Sequence, residues 1–161
     1  MPQVFINPLL RQLREIQDGA PWFDQSFRDK IGGLSEADVF TRPLPELHSV
    51  AGHISHVVEW RKECLLRFRG GRRELMHSAD DWKDDDALRE MGWAGLKAGL
   101  IQSQAELVAH LAQQDDSYLE IPYEDYNFHY LIEGIIHHDI YHLGQLGITL
   151  KLLRRQGLLE E

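Results

Sequence analysis

The chain contains a single cysteine, Cys64, among its 161 residues, and this scarcity excludes an intramolecular disulfide framework. A free thiol fits the reducing cytoplasm, where we expect the protein to be located. No apolar run approaches the roughly 18 residues that a membrane-spanning helix requires, so a membrane partner is not expected. The first ten residues lack a basic region and contain Pro8, which predicts that they are not a signal peptide.

Basic residues are also few, because 17 Lys and Arg stand against 26 Asp and Glu and give a formal net charge of −9. A protein that binds nucleic acid through its phosphates needs a basic face, so we do not expect a nucleic-acid partner. The sequence also lacks a sustained alternation of apolar and polar residues, a Gly-rich phosphate loop and a Gly-x-Ser-x-Gly elbow. These absences argue against a β-sheet protein, a phosphate-loop protein and a serine hydrolase.

Helical periodicity is present over almost the whole chain and predicts four helical segments. The segments run from about Asn7 to Lys30, Ser49 to Gly70, Asp86 to Gln114 and Asn127 to Gly157. Gly19-Ala20-Pro21 predicts a break inside the first segment, and residues 35–38 predict a short capped helical turn. We therefore predict an all-α protein with one domain over residues 1–161.

The linker Arg72–Asp85 is rich in charges of both signs and separates the second and third segments. Extended, it reaches about 45 Å, whereas a helix of the second segment's length is about 33 Å long. The linker can therefore cross the full length of a bundle. This predicts a four-helix bundle with one long crossover between helices 2 and 3.

Nine histidines are the unusual feature of the composition. His138 and His142 are four residues apart, so they share one helix face, and they lie in the stripe that should face the core. His53 lies on the flank of the apolar stripe of the second segment, whereas His56 projects nearly twice as far from it. Helical projection thus predicts that His53, His138 and His142 converge inside the bundle.

Three buried imidazoles can bind a divalent metal ion and leave an open coordination position, or they can form hydrogen bonds to core carboxylates and carbonyls. Arg61 projects into the same stripe and is expected to pair with a carboxylate, with anchoring of an anionic substrate as the alternative. Glu59 and Asp139 can orient ligand histidines or simply be solvated. Cys64 lies on the apolar stripe and is expected to serve packing.

Two motifs carry a resemblance to a known family. Residues 138–145 (His-Asp-Ile-Tyr-His-Leu-Gly-Gln) resemble a final-helix motif, His-x-x-Tyr-His followed by Gly-Gln, and residues 49–60 resemble the second-helix segment with the first metal ligand. With Gly33-Leu34-Ser35 and Arg42-Pro43 upstream, the chain resembles the DinB-like superfamily from about Trp22 to Leu152.

The resemblance implies a four-helix bundle with a middle crossover and a divalent metal held by three histidines. Imidazole ligands are common for zinc and nickel, so one of these ions is expected. The matching positions are His53, His138 and His142, and His56 competes for the first position because Gly-His-x-x-His offers two choices. Characterised relatives include thiol-dependent transferases and a maleylpyruvate isomerase that uses a low-molecular-weight thiol.

The expected function is therefore metal-dependent thiol S-transfer to a small electrophilic molecule, with the small molecule and the thiol as partners. Metal-assisted hydrolysis is the second chemistry. The alternative from another class is a non-catalytic bundle that acts as an interaction module. A homodimer through an apolar helix face is the macromolecular partner considered.

Overall fold

The computed structural model describes residues 2–160, and most of this part of the chain is helical. Its α-helices are α1 (Ile6–Asp18), α2 (Phe27–Ile31), α3 (Glu36–Val39), α4 (Val50–Phe68), α5 (Asp85–Ala112) and α6 (Phe128–Arg155). A 3-10 helix (Asp116–Glu120) and two short strands, β1 (Pro122–Tyr123) and β2 (Tyr126–Asn127), join α5 to α6. The all-α prediction is confirmed. Within residues 2–160, none of these helices has the length and apolar character needed to cross a membrane.

The four longest helices correspond to the four predicted segments and enclose the hydrophobic core. Helix α4 packs against α5 and α6, and α1 packs against the same two helices. The core includes buried apolar side chains from all six α-helices. The 3-10 helix contributes Leu119. That all of this forms one domain over residues 1–161 stays a prediction.

The predicted interruption of the first segment is present. Helix α1 ends at Asp18, and α2 begins only at Phe27, after Ser26 has formed a capping box with Asp29. Ser35 and Asp38 form a second capping box at the start of α3, as the sequence pattern predicts.

The long crossover spans residues 69–84 and joins α4 to α5, as predicted. It is attached to α4 by Arg73, whose guanidinium donates to the Glu59 carboxylate at 3.0 Å and to that of Glu63 at 3.3 Å. Further along, Leu75 and Asp81 are buried. As a result, every α4 residue in the range 50–59 is buried, and the first half of this helix has no exposed face.

Two features of the backbone differ from the sequence-based expectation. Strands β1 and β2 form an antiparallel hairpin, although the sequence has no Asn-Gly or Asp-Gly turn signal there. Glu124 in the turn has φ 54°. Helix α5 is kinked at Gly92, which has φ 67° and ψ 158°, a region that is essentially restricted to glycine. The kink places the Trp93 side chain where its indole N–H donates to the Leu34 carbonyl at 3.1 Å.

Candidate metal centre

Helix capping fixes the positions of the histidines in α4 and α6. The Ser49 hydroxyl accepts from the Gly52 backbone N–H at 3.2 Å, so α4 starts at Val50 and carries His53 and His56 in its first two turns. In α6, the Asn127 side chain accepts from the Tyr130 N–H at 3.0 Å. His138 and His142 then lie one turn apart in the middle of α6.

His56, His138 and His142 form a compact cluster in which one nitrogen of each lies within 4.8 Å of the others. The His142 ring is 4.4 Å from the His56 ring and 4.4 Å from the His138 ring, between centroids. His56 and His142 are buried, and the His138 side chain is 22% exposed. The cluster is therefore closed on the core side and reachable from solvent at His138.

The donor atoms fit a transition-metal ion. The Nε2 atoms of His56 and His138 are 3.1 Å apart. Two nitrogens that bind one ion at 2.0–2.1 Å are separated by roughly 2.9–3.4 Å, depending on the coordination angle. The third donor, a ring nitrogen of His142, lies within 4.8 Å of the other two. The buried Nδ1 atom of His142 also has no hydrogen-bond partner within the described residues, as expected where a polar atom is left for a further group.

The crossover orients His56 through Asp81. The His56 Nδ1 atom lies 2.8 Å from the Asp81 backbone carbonyl oxygen and 3.2 Å from its carboxylate. Because both oxygens are acceptors, this network assigns the proton to Nδ1 and leaves the Nε2 lone pair facing the cluster. The Asp81 carboxylate also accepts from the Trp60 indole N–H at 2.9 Å and from the His77 backbone N–H at 3.1 Å. A held tautomer of this kind is the usual arrangement behind a metal-binding histidine.

A carboxylate lies behind His138 as well. The Oδ1 atom of Asp139 is 3.8 Å from His138 Nδ1, and both atoms are buried without a hydrogen-bond partner. The other carboxylate oxygen, Oδ2, accepts from the Arg61 Nε–H at 2.8 Å. The Asp139 carboxylate is thus placed to accept a hydrogen bond from His138 Nδ1–H after a small rotation, which would leave the Nε2 lone pair as the donor to a metal.

Burial favours the neutral form of the His56 and His142 imidazoles. Loss of hydration, together with the neighbouring histidines, lowers the pKa of His142 to about 3. Burial likewise lowers the pKa of His56, although the Asp81 carbonyl partly opposes the shift. Neutral imidazoles offer lone pairs, so His56 and His142 can bind a cation without first losing a proton.

His53 lies beside this cluster and outside the group of three. Its ring centroid is 6.1 Å from that of His142, and its Nε2 atom faces the Thr149 hydroxyl at 3.4 Å. Burial lowers the pKa of His53 to about 4, and its Nδ1 atom has no hydrogen-bond partner. Its assignment as a metal ligand therefore stays a prediction.

Helical projection does not distinguish the burial of His56 from that of His53. It places His56 farther from the apolar stripe, but both residues are buried to the same degree, with 5% of either residue exposed. The cause is Trp82 of the crossover, which stacks on the His56 ring at 3.9 Å and on the His48 ring at 3.5 Å. Sequence reasoning missed Asp81 and Trp82; the one signal was a tryptophan within a strongly charged linker.

The remaining sequence candidates have structural partners. Arg61 is fully buried and paired with Asp139, so it does not anchor a substrate. Glu59 accepts from Arg73 and from Lys62, both at 3.0 Å, and does not contact a histidine of the cluster. Burial raises the pKa of the Cys64 thiol well above its usual range, which keeps it protonated.

An apolar cavity of about 420 Å³ opens next to the cluster. It lies between α4 and α6, and the His138 ring forms part of its wall together with Trp60 and Ile135. The cavity gives a small molecule a path to the exposed edge of the cluster.

Fold and site together define an all-α protein with a buried histidine cluster that can hold a metal ion. A family model of the DinB superfamily matches residues 24–146, more than half of the sequence, and the chain belongs to this superfamily. No curated protein and no solved structure matches the chain.

Proposed function

We propose that the protein binds one divalent metal ion, zinc or nickel, through His56, His138 and His142. The observation that carries the proposal is the 3.1 Å separation of the His56 and His138 Nε2 atoms, with His142 close to both. Three imidazole donors suit these metals and leave a position open for exchange. The hydrogen bonds of His56 to Asp81 support the same tautomer that metal binding needs.

The alternative ligand set is the one that the sequence favoured, with His53 in place of His56. Its support is the Nδ1 atom of His53, which is buried and has no partner. The greater ring separation of 6.1 Å from His142 makes His53 the second choice. Single substitutions distinguish the two sets because each removes one donor.

For the reaction, we propose thiol S-transfer to a small electrophilic molecule. A bound divalent ion supplies Lewis acidity, which lowers the pKa of a thiol or a water molecule beside it. The thiol proton passes to solvent, the sulfur forms a bond to the electrophilic carbon, and the leaving group departs with its electron pair. Cys64 is buried and protonated, so the nucleophile is a low-molecular-weight thiol from solution rather than a residue of the chain.

Elemental analysis of protein purified without a histidine tag tests the metal site. We expect about one ion per chain in the wild type and its loss in His56→Ala, His138→Ala and His142→Ala. His137→Ala is the matched control, because His137 is exposed on the same helix. Metal retained in His56→Ala and lost in His53→Ala would establish the alternative set. No metal in the wild type after incubation with zinc and with nickel would refute the proposal.

The reaction is tested separately on the metal-loaded protein. We expect metal-dependent consumption of free thiol when a panel of low-molecular-weight thiols is mixed with 1-chloro-2,4-dinitrobenzene, a neutral electrophile whose thioether is followed by absorbance. Turnover of an ester without any thiol would favour hydrolysis. No turnover with either would favour the non-catalytic bundle, and the homodimer that accompanies that alternative is checked by light scattering.

A further inference from the structure

The cavity beside His138 has the size and wall of a ligand pocket. Its volume of about 420 Å³ lies within the range of roughly 300–1,000 Å³ that is usual for small-molecule sites. Four elements form it: α4, the crossover, the hairpin and α6. The apolar and aromatic part of the wall includes Trp60, Met76 of the crossover, Tyr126, Tyr130, Leu131 and Ile135.

The charges in the wall cancel. Among the described residues that line the cavity, Glu63 and Arg67 are the charged pair, and the Arg67 Nε–H donates to the Glu63 carboxylate at 2.8 Å. A second N–H group of the Arg67 guanidinium donates to the Tyr126 hydroxyl at 3.1 Å. Burial by itself would lower the pKa of Arg67, but its pairing with Glu63 and Tyr126 raises the pKa above the usual value, so the guanidinium stays charged and paired. No unpaired cation therefore remains in the wall to receive a ligand carboxylate.

In the metal-free protein, an anionic ligand would lose its hydration in this cavity without gaining an unpaired counter-charge from the wall, which is strongly unfavourable. An uncharged ring avoids that cost, gains from contact with apolar surface, and can stack on the aromatic side chains. It would also bring its atoms towards the His138 ring at the inner side of the cavity.

We infer that this cavity binds an uncharged, largely apolar small molecule, such as a compound of one or two aromatic rings, and discriminates against carboxylates. The inference rests on the proposed function in one respect, since it makes this molecule the substrate class of the neighbouring metal centre. The binding itself needs only the wall of the cavity.

Gly134 provides a way to fill the cavity. It lies in α6 on the cavity wall, and a Cβ atom built there meets no atom within 4 Å. Gly134→Leu therefore adds a side chain to open space without a backbone clash. The matched control is Gly144→Leu, because Gly144 lies exposed on the same helix, is equally free of neighbours and lies away from the cavity.

Calorimetric titration with 2-naphthol, which is neutral at pH 7, and with 2-naphthoate, its anionic counterpart, tests the inference. We expect 2-naphthol to bind at least about tenfold more tightly than 2-naphthoate, a difference of about 1.4 kcal/mol. Gly134→Leu should weaken 2-naphthol binding at least about tenfold, and Gly144→Leu should bind like the wild type. Circular dichroism checks that each variant is folded, and Gly134→Ala, with a smaller expected loss, replaces the leucine variant if that one does not fold.

The titrations are run on metal-free and on zinc-loaded protein, which separates the two proposals. Binding of 2-naphthol that Gly134→Leu abolishes supports the pocket even if the chain takes up no metal. With metal-free protein, equal or tighter binding of 2-naphthoate, or unchanged 2-naphthol binding in the filled variants, overturns the pocket and leaves the metal centre standing.

Discussion

Arg61 is the charged residue whose removal should destabilise the fold most, because it joins all four long helices from a fully buried position in α4. Its guanidinium donates to the Asp139 carboxylate of α6 at 2.8 Å. It also donates to the Gln17 side chain of α1 at 2.9 Å and to the Leu100 carbonyl of α5 at 3.1 Å. Arg61→Met keeps most of the side-chain volume but removes every one of these donors.

The expected loss follows from what Arg61→Met leaves behind. The Asp139 carboxylate stays buried without its counter-ion, and breaking a buried pair in this way costs about 3–5 kcal/mol. For a chain of this length, each kcal/mol corresponds to about 2–4 °C in melting temperature. Arg61→Met should therefore melt roughly 6–20 °C below the wild type.

Urea and thermal unfolding of a double-mutant cycle test this reasoning. Arg61→Met/Asp139→Leu removes both charges, so it should be no less stable than Arg61→Met, although Gln17 still lacks its donor. The control cycle uses Arg11 and Glu15, an exposed pair 3.6 Å apart on α1, whose coupling should not exceed about 0.5 kcal/mol. The proposed role of Arg61 would be refuted if the losses in unfolding free energy of Arg61→Met and Asp139→Leu simply added in the double variant. It would also be refuted if Arg61→Met were as stable as Arg11→Met.

Three further predictions concern stability alone. Gly92→Ala should cost about 1–3 kcal/mol because of the positive φ at the kink, whereas Gly95→Ala, in an open helical position, should cost nothing in the same thermal melts. The Asp116 carboxylate accepts from three backbone N–H groups at the start of α1, between 2.8 and 3.1 Å, so Asp116→Ala should lose about 1–2 kcal/mol in urea unfolding, and an unchanged midpoint would contradict this. His53 and His142 have pKa values of about 4 and about 3, below the usual value near 6.5, so the unfolded state binds more protons as the solution is acidified. The contribution of these histidines to the free energy of unfolding of the metal-free protein should therefore be greatest above pH 6.5 and decrease as the pH drops towards about 4. Equal urea midpoints at pH 7 and pH 5 would contradict this assignment.

The helices could be predicted because their signals are local. Apolar periodicity and capping residues such as Ser35 and Asn127 act within one or two turns, and the structure has helices where these patterns predict them. The kink at Gly92 and the hairpin after the 3-10 helix could not be predicted in this way. Both depend on tertiary contacts, among them the Trp93–Leu34 hydrogen bond at 3.1 Å, between residues distant in sequence.

The site could be predicted only in part, for the same reason. His138 and His142 are four residues apart on α6, and this spacing alone places them together. The choice between His53 and His56 on α4 is different, because projection assumes that a helix has a buried face and an exposed face. The first half of α4 is buried on all sides, so its apolar stripe carries no information about which histidine turns towards α6.

The crossover supplies the information that α4 lacks. Trp82 covers the side of α4 that lies away from its apolar stripe, and Asp81 fixes the His56 proton on the nitrogen remote from the cluster. A linker that looks like a charged spacer in the sequence thus decides both the burial of His56 and the direction of its free lone pair. It also follows that the cluster depends on a segment held to α4 by a few polar contacts, such as those of Arg73. Loosening the crossover should therefore weaken metal binding through His56 before it affects His138 and His142, which α6 alone places one turn apart.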